Sequence, residues 1–322
     1  MTFLSSGSLS DVPPELPGNS HDFARDLVAG LCARPRRVSP KWFYDERGSR
    51  LFEEICELPE YYPTRTELAL LDRHAPEMAT LIGPGAEIIE FGAGSSRKVR
   101  PLLAALHEPA RYLPVDISGE HLLQAAKALQ RDLPDLQVQP VVADFTVSLT
   151  LPPPRGVRVG FFPGGSIGNF EPAEACRLLQ RMSGWLAGGG LLLGVDLIKE
   201  PDLLHAAYND AQGVTAAFNL NLLARANREL GSDFDLAQFA HSAFYNPPLA
   251  RIEMHLMSRR TQTISVCGER FEFAEGDSLH TESSYKYTVA GFRQLARAAG
   301  WTPRAVWVDA QRQFSLHWLQ PD

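Results

Sequence analysis

From about Ala86 onward the chain alternates short apolar runs with amphipathic stretches of helical period: AEIIEF, RKVRPLLAALH, RYLPVDI, GEHLLQAAKALQRDL and VQPVVADF. That order of patterns predicts βαβαβ, and hence a parallel sheet flanked by helices. It continues through VRVGFFPGG, a helix opening at Glu171-Pro172 and running to Leu186, and a strand in GGGLLLGVDLI, giving five strands by residue 198. Proline just inside a helix start costs no hydrogen bond, and the glycines at 188 to 190 end that helix.

The alternation is then interrupted. PDLLHAAYNDAQGVTAAFNLNLLARANREL is helical with a break near Gly213, and RIEMHLMSRRTQTISVCGERFEFAEGD reads as antiparallel strands. GFRQLARAAGW is one more helix, and RAVWVDAQRQFSLHWL a closing hairpin. Such an insertion before the last strands is what a second, substrate-facing lobe needs. Residues 1–20 contain Ser, Gly and Pro without periodicity and are expected to be a flexible tail. With 322 residues, 44% of them hydrophobic, the chain can bury one large or two intimate domains, and two are expected.

A net charge of −7 without a long basic run argues against nucleic acid and for a small substrate. No apolar stretch reaches the roughly 18 residues of a membrane helix, and the N-terminus lacks a basic region followed by an apolar one, so a cytoplasmic protein is expected. Cys32, Cys56, Cys176 and Cys267 form no CxxC pair and no Cys/His spacing suited to zinc; they read as reduced, mostly packed thiols, with no metal.

The first strand of the alternating series ends in EFGAGSSRK. Gly92 and Gly94 let the chain turn beneath a ligand at the carboxyl end of a parallel strand, although a plain strand-to-helix turn reads the same way. Asp116, ending the second strand, is placed to accept ribose hydroxyls, a role shared by dinucleotide and S-adenosylmethionine (SAM) sites. Three features favour SAM. Arg97 stands where a dinucleotide site would have its third glycine. Glu90 would repel a pyrophosphate and attract the sulfonium and amino group of SAM. Asp144 and Phe145 offer an acceptor and an aromatic face to adenine. After the fourth strand, in FFPGGSIGNFEP, Gly164, Gly165 and Gly168 surround Ser166 and Asn169, and this loop could hold an amine in line with the methyl donor. Upstream, residues 41–67 crowd Trp42, Phe43, Tyr44, Tyr61 and Tyr62 among prolines and charges, as a partly polar pocket wall would, or as a surface loop would.

The long motifs WFYDERGS, LPEYYPTRTE, EFGAGSSRK, FPGGSIGN, DLIKEPDLLHAAYNDAQGVTAAFN, RIEM and TESS, spread over about residues 25 to 320, make the chain resemble the SAM-dependent L-histidine Nα-methyltransferases of ergothioneine biosynthesis. The resemblance implies an α/β, Rossmann-like SAM methyltransferase domain over 66–198 and 287–322, with a substrate-binding lobe formed by 21–65 and the insertion 199–286. It implies trimethylation of the histidine α-amine to hercynine, with SAM as co-substrate and no metal. Its partners would be L-histidine and the methylated intermediates, and the protein is expected to be monomeric. Carried over by motif, Gly164 and Asn169 lie beside the amine, and Tyr44, Phe52 and Tyr61 belong to the pocket. Tyr208 matches a carboxylate contact and Met254 the side-chain pocket, while Glu282 and Ser284 match the imidazole-binding pair. Ser95 and Lys98 join Glu90, Gly92, Gly94, Asp116, Asp144 and Phe145 on the cofactor side. The loop departs from the family's frequent GSTIGN: Gly165-Ser166 stand in place of Ser-Thr, which changes the donors near the amine.

The chemistry agrees with this resemblance. Methyl transfer is an in-line displacement on a cationic donor, so orientation and desolvation can supply the catalysis without a covalent nucleophile. Two rivals remain open at the level of sequence. One is an Nα-methyltransferase of the same fold for another amino acid; against it, Glu282 accepts an imidazole N–H while Ser284 donates to the second nitrogen. The other is a non-catalytic module that binds SAM or an amino acid and gives no product.

Overall fold

In the computed structural model the described residues are 18–147, 149–186 and 188–322. Residues 1–17 of the expected tail lie outside them, and residues 18–20 form the first turn of a helix, α1 (Gly18–Cys32). The aromatic-rich stretch 41–67 is no loop. A 3-10 turn over Pro40–Phe43 leads into α2 (Glu46–Glu57), and α3 (Tyr62–Ile82) follows. Asp45 caps α2 by accepting from the Gly48 amide at 2.7 Å, and Pro63 stands in the first turn of α3, where a missing N–H costs nothing. Trp42, Phe43 and Tyr62 are buried in the core.

The alternating region folds as β1 (Glu87–Phe91), α4 (Val99–Ala105), β2 (Arg111–Asp116), α5 (Gly119–Asp132), β3 (Val141–Val142), β4 (Arg158–Phe162), α6 (Pro172–Leu186) and β5 (Leu191–Asp196). These five strands pair in parallel. The insertion contributes α7 (Pro201–Tyr208), α8 (Val214–Leu230), β6 (Phe239–Asn246), β7 (Arg251–Ser258), β8 (Gln262–Val266), β9 (Glu269–Phe273) and β10 (Ser278–Tyr285). Helix α9 (Val289–Ala298) and the antiparallel hairpin β11 (Trp301–Val308) and β12 (Phe314–Pro321) close the chain.

The main sheet has the order β11-β12-β5-β4-β1-β2-β3, with β12 antiparallel to β5. Its two faces are covered by separate apolar clusters, one including Leu178, Met182 and Phe292, the other Leu70, Leu102 and Leu129. A third cluster joins the N-terminal segment, through Phe23, Trp42 and Tyr62, to Phe218, Met254 and Leu279 of the insertion. Strands β10, β7 and β6 form a three-stranded antiparallel sheet, and β8 and β9 a hairpin. No described helix is long and apolar enough to cross a membrane. The thiols are all free, but Cys32 and Cys267 are exposed, so two of the four are not packed as expected.

Candidate active site

The strand order reverses between β1 and β4, and ligands of open α/β sheets bind where that reversal leaves a crevice at the carboxyl ends. Here the crevice opens into a cleft of about 1830 Å³. Gly92 and Gly94, at φ of 72° and 47°, carry the chain from β1 toward α4. Asp116 ends β2, and its carboxylate accepts from the amides of Gly94 at 3.2 Å and Ser118 at 2.8 Å. Burial pushes its pKa up against the pull of those amides. Asp144 is held from the N-terminal segment by the Lys41 ammonium at 2.9 Å and by the Thr146 amide at 2.8 Å. Burial would raise its pKa, but Thr146 and Lys41 outweigh it and hold the group below its ordinary range. The Phe145 ring stands edge-on to Phe91 and Phe162, each at 5.8 Å. Ser95 is exposed at the cleft wall.

Glu90 lines the same cleft. It is buried, and the Tyr112 hydroxyl donates to its carboxylate. Burial pushes its pKa up to about 8, against the Tyr112 hydrogen bond and the Lys98 charge. The positive charge around this carboxyl, that of Lys98, does not offset its burial, so a further cation beside it would favour its ionised form.

One further group was not evident from the sequence. Glu67 of α3 is fully buried and accepts from the Gly164 amide with both oxygens at 2.9 Å, while Lys98 bonds to it at 2.9 Å. Lys98 therefore ties the turn after β1 to the loop after β4. The lack of a Cβ on Gly194 makes this possible, since one would sit 2.3 Å from a Glu67 oxygen. Gly164 and Gly165 have φ of 84° and 69°, so the loop turns through two left-handed residues, followed by a 3-10 turn over Ser166–Asn169. A Cβ at Gly165 would lie 3.3 Å from Asp196, and the Ser166 hydroxyl donates to the Pro163 carbonyl at 3.0 Å. The departure from the family's loop thus leaves this serine bonded to its own turn.

Past Asn169 the cleft adjoins a chamber of about 50 Å³. Tyr44 and Phe52 meet edge-on at 5.6 Å, Phe52 and Tyr61 at 6.2 Å, and Tyr61 and Tyr208 at 6.5 Å. Phe218 of α8, which sequence reasoning missed, completes this wall 5.7 Å from Tyr44. Burial pushes the Tyr44 and Tyr61 phenols well above their ordinary range, so both remain protonated near neutrality. Met254 lies opposite Glu282 in the β7/β10 pairing, and both line the chamber. Burial pushes Glu282 up to about 7, with Lys286 pulling the other way. Ser284, two residues on, is buried behind the wall and reached through the Tyr208 hydroxyl at 2.8 Å.

Behind that pair lies a buried ionic network. The Lys286 ammonium bonds to Asp196 at 2.7 Å, Ser284 at 2.7 Å and Tyr208 at 3.2 Å. Asp196, ending β5, also takes the Tyr62 hydroxyl at 2.8 Å and the Lys199 ammonium at 2.5 Å. Burial would raise its pKa, but Lys286 and Lys199 more than offset that and keep it ionised. Glu253, His255 and His280 on the small sheet also bring ligand-type atoms within 4.8 Å of one another. The two imidazoles are stacked, with centroids 4.8 Å apart and planes 20° apart. Lone pairs in the planes of stacked rings run side by side and do not converge on one ion, so the cluster is a hydrogen-bonded one, with His255 at 3.1 Å from Glu253.

The switch-point crevice of this Rossmann-like sheet, with Asp116 ending β2 and Glu90 in β1, is the frame of a SAM-dependent methyltransferase. Residues 23–321 match the family described as histidine-specific, SAM-dependent methyltransferases, and the chain belongs to it. It is 40% identical over 298 residues to the histidine N-alpha-methyltransferase of Mycolicibacterium smegmatis, covering 91% of this chain and 92% of that one. It is 31% identical to ergothioneine biosynthesis protein 1 of Neurospora crassa, over 88% of this chain and 33% of that longer protein. With the N-methyltransferase dtpB of Aspergillus flavus it shares 26% identity, over 92% of this chain and 88% of that one.

Proposed function

We propose that the protein transfers methyl groups from SAM to the α-amino nitrogen of L-histidine, three in succession, giving hercynine as the first step of ergothioneine biosynthesis. One observation supports this reading most: the Gly164–Asn169 loop stands between a crevice seeking a cation and a chamber walled by aromatics and Glu282. Two of the relatives carry histidine methylation and ergothioneine synthesis in their names.

Asp116 would hold the ribose, and Asp144 with Phe145 the adenine. Glu90, Gly92, Gly94, Ser95 and Lys98 would form the wall nearest the sulfonium and amino-acid part. Bound there, SAM supplies an electrophilic methyl group on a cationic sulfur. The residues of this chain then orient the acceptor. The Gly164 carbonyl and the Asn169 amide oxygen accept from the amine and stabilise the cation left after each transfer, whatever its number of N–H groups. Tyr44, Phe52, Tyr61 and Phe218 exclude water, and as phenols Tyr44 and Tyr61 can hydrogen-bond the substrate. Tyr208, its proton given to Ser284, would border the carboxylate end of the chamber, Met254 would meet the side chain, and Glu282 with Ser284 the imidazole. Displacement at a sulfonium needs no Lewis acid, and we propose a metal-free, monomeric, cytoplasmic enzyme. Its substrate lobe would be 21–65 with 199–286, and its methyltransferase domain 66–198 with 287–322.

The test is mass spectrometry of histidine incubated with SAM and the protein. Sequential mono-, di- and trimethylated products are expected. A protein that binds both ligands and forms none of them would be a binding module, and one that prefers another amino acid would be a different Nα-methyltransferase.

A further inference from the structure

Lysine offers three N–H donors and no acceptor, so every oxygen it touches must accept from it. All three donors of Lys286 are assigned, to Asp196, Ser284 and Tyr208. The Tyr208 hydroxyl in turn donates to Ser284 at 2.8 Å. Both lone pairs of the Ser284 oxygen are thereby occupied, one by Lys286 and one by Tyr208. Its own proton has no hydrogen-bond partner among the described residues, and Ser284 lies behind the chamber wall, two residues from Glu282 on the same strand. Glu282 has the opposite character, a carboxylate that accepts no hydrogen bond from any described residue.

Lys286 cannot readily turn aside. It is 3% exposed, and Asp196 is fixed on its other sides by Tyr62 and Lys199. Burial works against the lysine's charge, but Asp196 and Tyr208 outweigh it. We propose that Lys286 is a positioning residue that, acting through Ser284, makes this wall a fixed hydrogen-bond donor, so that histidine is held as neutral imidazole in one tautomer. Its ring N–H faces Glu282 and its bare nitrogen faces Ser284. An imidazolium carries a proton on both nitrogens and would oppose the Ser284 proton with its own, close to the buried ammonium. This rests on the proposed reading of Glu282 and Ser284 as the ring-binding pair.

The test is 15N NMR of ring-labelled L-histidine bound to the intact protein, over a pH series from the ring's ordinary pKa of about 6.5 to about 8.5, above the Glu282 value of about 7. In the wild type one pyridine-type and one N–H-type nitrogen are expected. Lys286→Met keeps the length of the side chain and removes its donors. Ser284 can then accept, and the proton affinity of the bound ring should rise at least about tenfold, with both nitrogens moving toward the N–H type. Tyr208→Phe frees the other lone pair of Ser284 and should act in the same direction, which preserves the test if the lysine variant does not fold. An imidazolium in the wild type, or a ring unchanged in both variants, overturns the role of Lys286. A bound ring whose tautomers average as in free solution overturns the underlying reading instead.

Discussion

Asp116 is a half-buried carboxylate and Glu282 a buried one, and their surroundings predict different consequences of removing them. Asp116 is pre-oriented by two backbone amides, and each of its oxygens still has a lone pair for a ligand hydroxyl. Asp116→Ala should weaken SAM binding by about 1–3 kcal/mol, the loss of a charged acceptor from buried hydroxyls. Titration calorimetry showing unchanged affinity would remove it from the site. The Glu282 carboxyl is oriented by no hydrogen bond from any described residue and sits opposite Met254, so on the proposed reading its contribution is to discrimination. Phenylalanine would leave its carboxylate unpaired, and tryptophan, whose indole is a donor with no acceptor, would leave the Ser284 proton unpaired; a site rejects either far more strongly than a slightly wrong size. Glu282→Ala should lower kcat/KM for histidine by roughly 10- to 100-fold, as expected for a lost hydrogen bond to a charged group. It should also narrow the preference for histidine over tryptophan. If the ratio of the two kcat/KM values stays constant, the ring is recognised elsewhere.

At the scale of elements, the loop after β4 is held in place from α3. Glu67 receives the Gly164 amide and Lys98 together, so it sets the loop after β4 in register with the turn after β1. Glu67→Gln keeps one acceptor for Gly164 but presents Lys98 with an amide in place of a charge. Turnover should fall about 10- to 100-fold, the cost of a misplacement on the order of an ångström, while SAM affinity changes much less. Equal losses in both would make Glu67 a generic structural residue. Gly194→Ala forces the same carboxylate aside and should behave alike. The strands and helices between 86 and 198 were legible because buried parallel strands are short apolar runs between amphipathic helices. The aromatic stretch 41–67 was not, because its helices bury one face against an insertion some 150 residues away, visible only once Trp42 and Phe218 share a cluster. Asp116 could be found because it ends a strand, and Asp196 ends β5 in the same way. Glu67 left a fainter trace, an acid in step with Leu70 and Leu71 on the buried face of α3. Lys286 was in step with Glu282 and Ser284, but its partners Asp196 and Tyr208 lie on other elements.

For the whole molecule, burying the Glu90 carboxyl at the centre of the sheet has a thermodynamic consequence. The Glu90 pKa stands near 8 in the fold, against an ordinary value of about 4.5. The folded protein thus binds a proton that the unfolded chain releases. The stability linked to this group is complete below about pH 4.5 and is lost as pH rises through about 8, at up to roughly 1.4 kcal/mol per pH unit. Glu282, near 7, acts in the same sense, and His317, which burial holds down to about 3, acts in the opposite sense at lower pH. The comparison therefore has to be made at Glu90 itself. Between about pH 5 and 8, wild type should lose about 1–3 kcal/mol of stability relative to Glu90→Gln, because the other titrations are common to both. A sulfonium beside Glu90 favours the ionised carboxylate, so SAM binding should expel the proton. Affinity should rise with pH up to about 8 in the wild type and stay nearly level in Glu90→Gln. Denaturation at a series of pH values, and calorimetry in buffers of different ionisation enthalpy, measure the two effects. Parallel stability curves for the two proteins, with no proton released on SAM binding, would mean that Glu90 is a neutral core residue held by Tyr112 and that the cation is met elsewhere in the cleft.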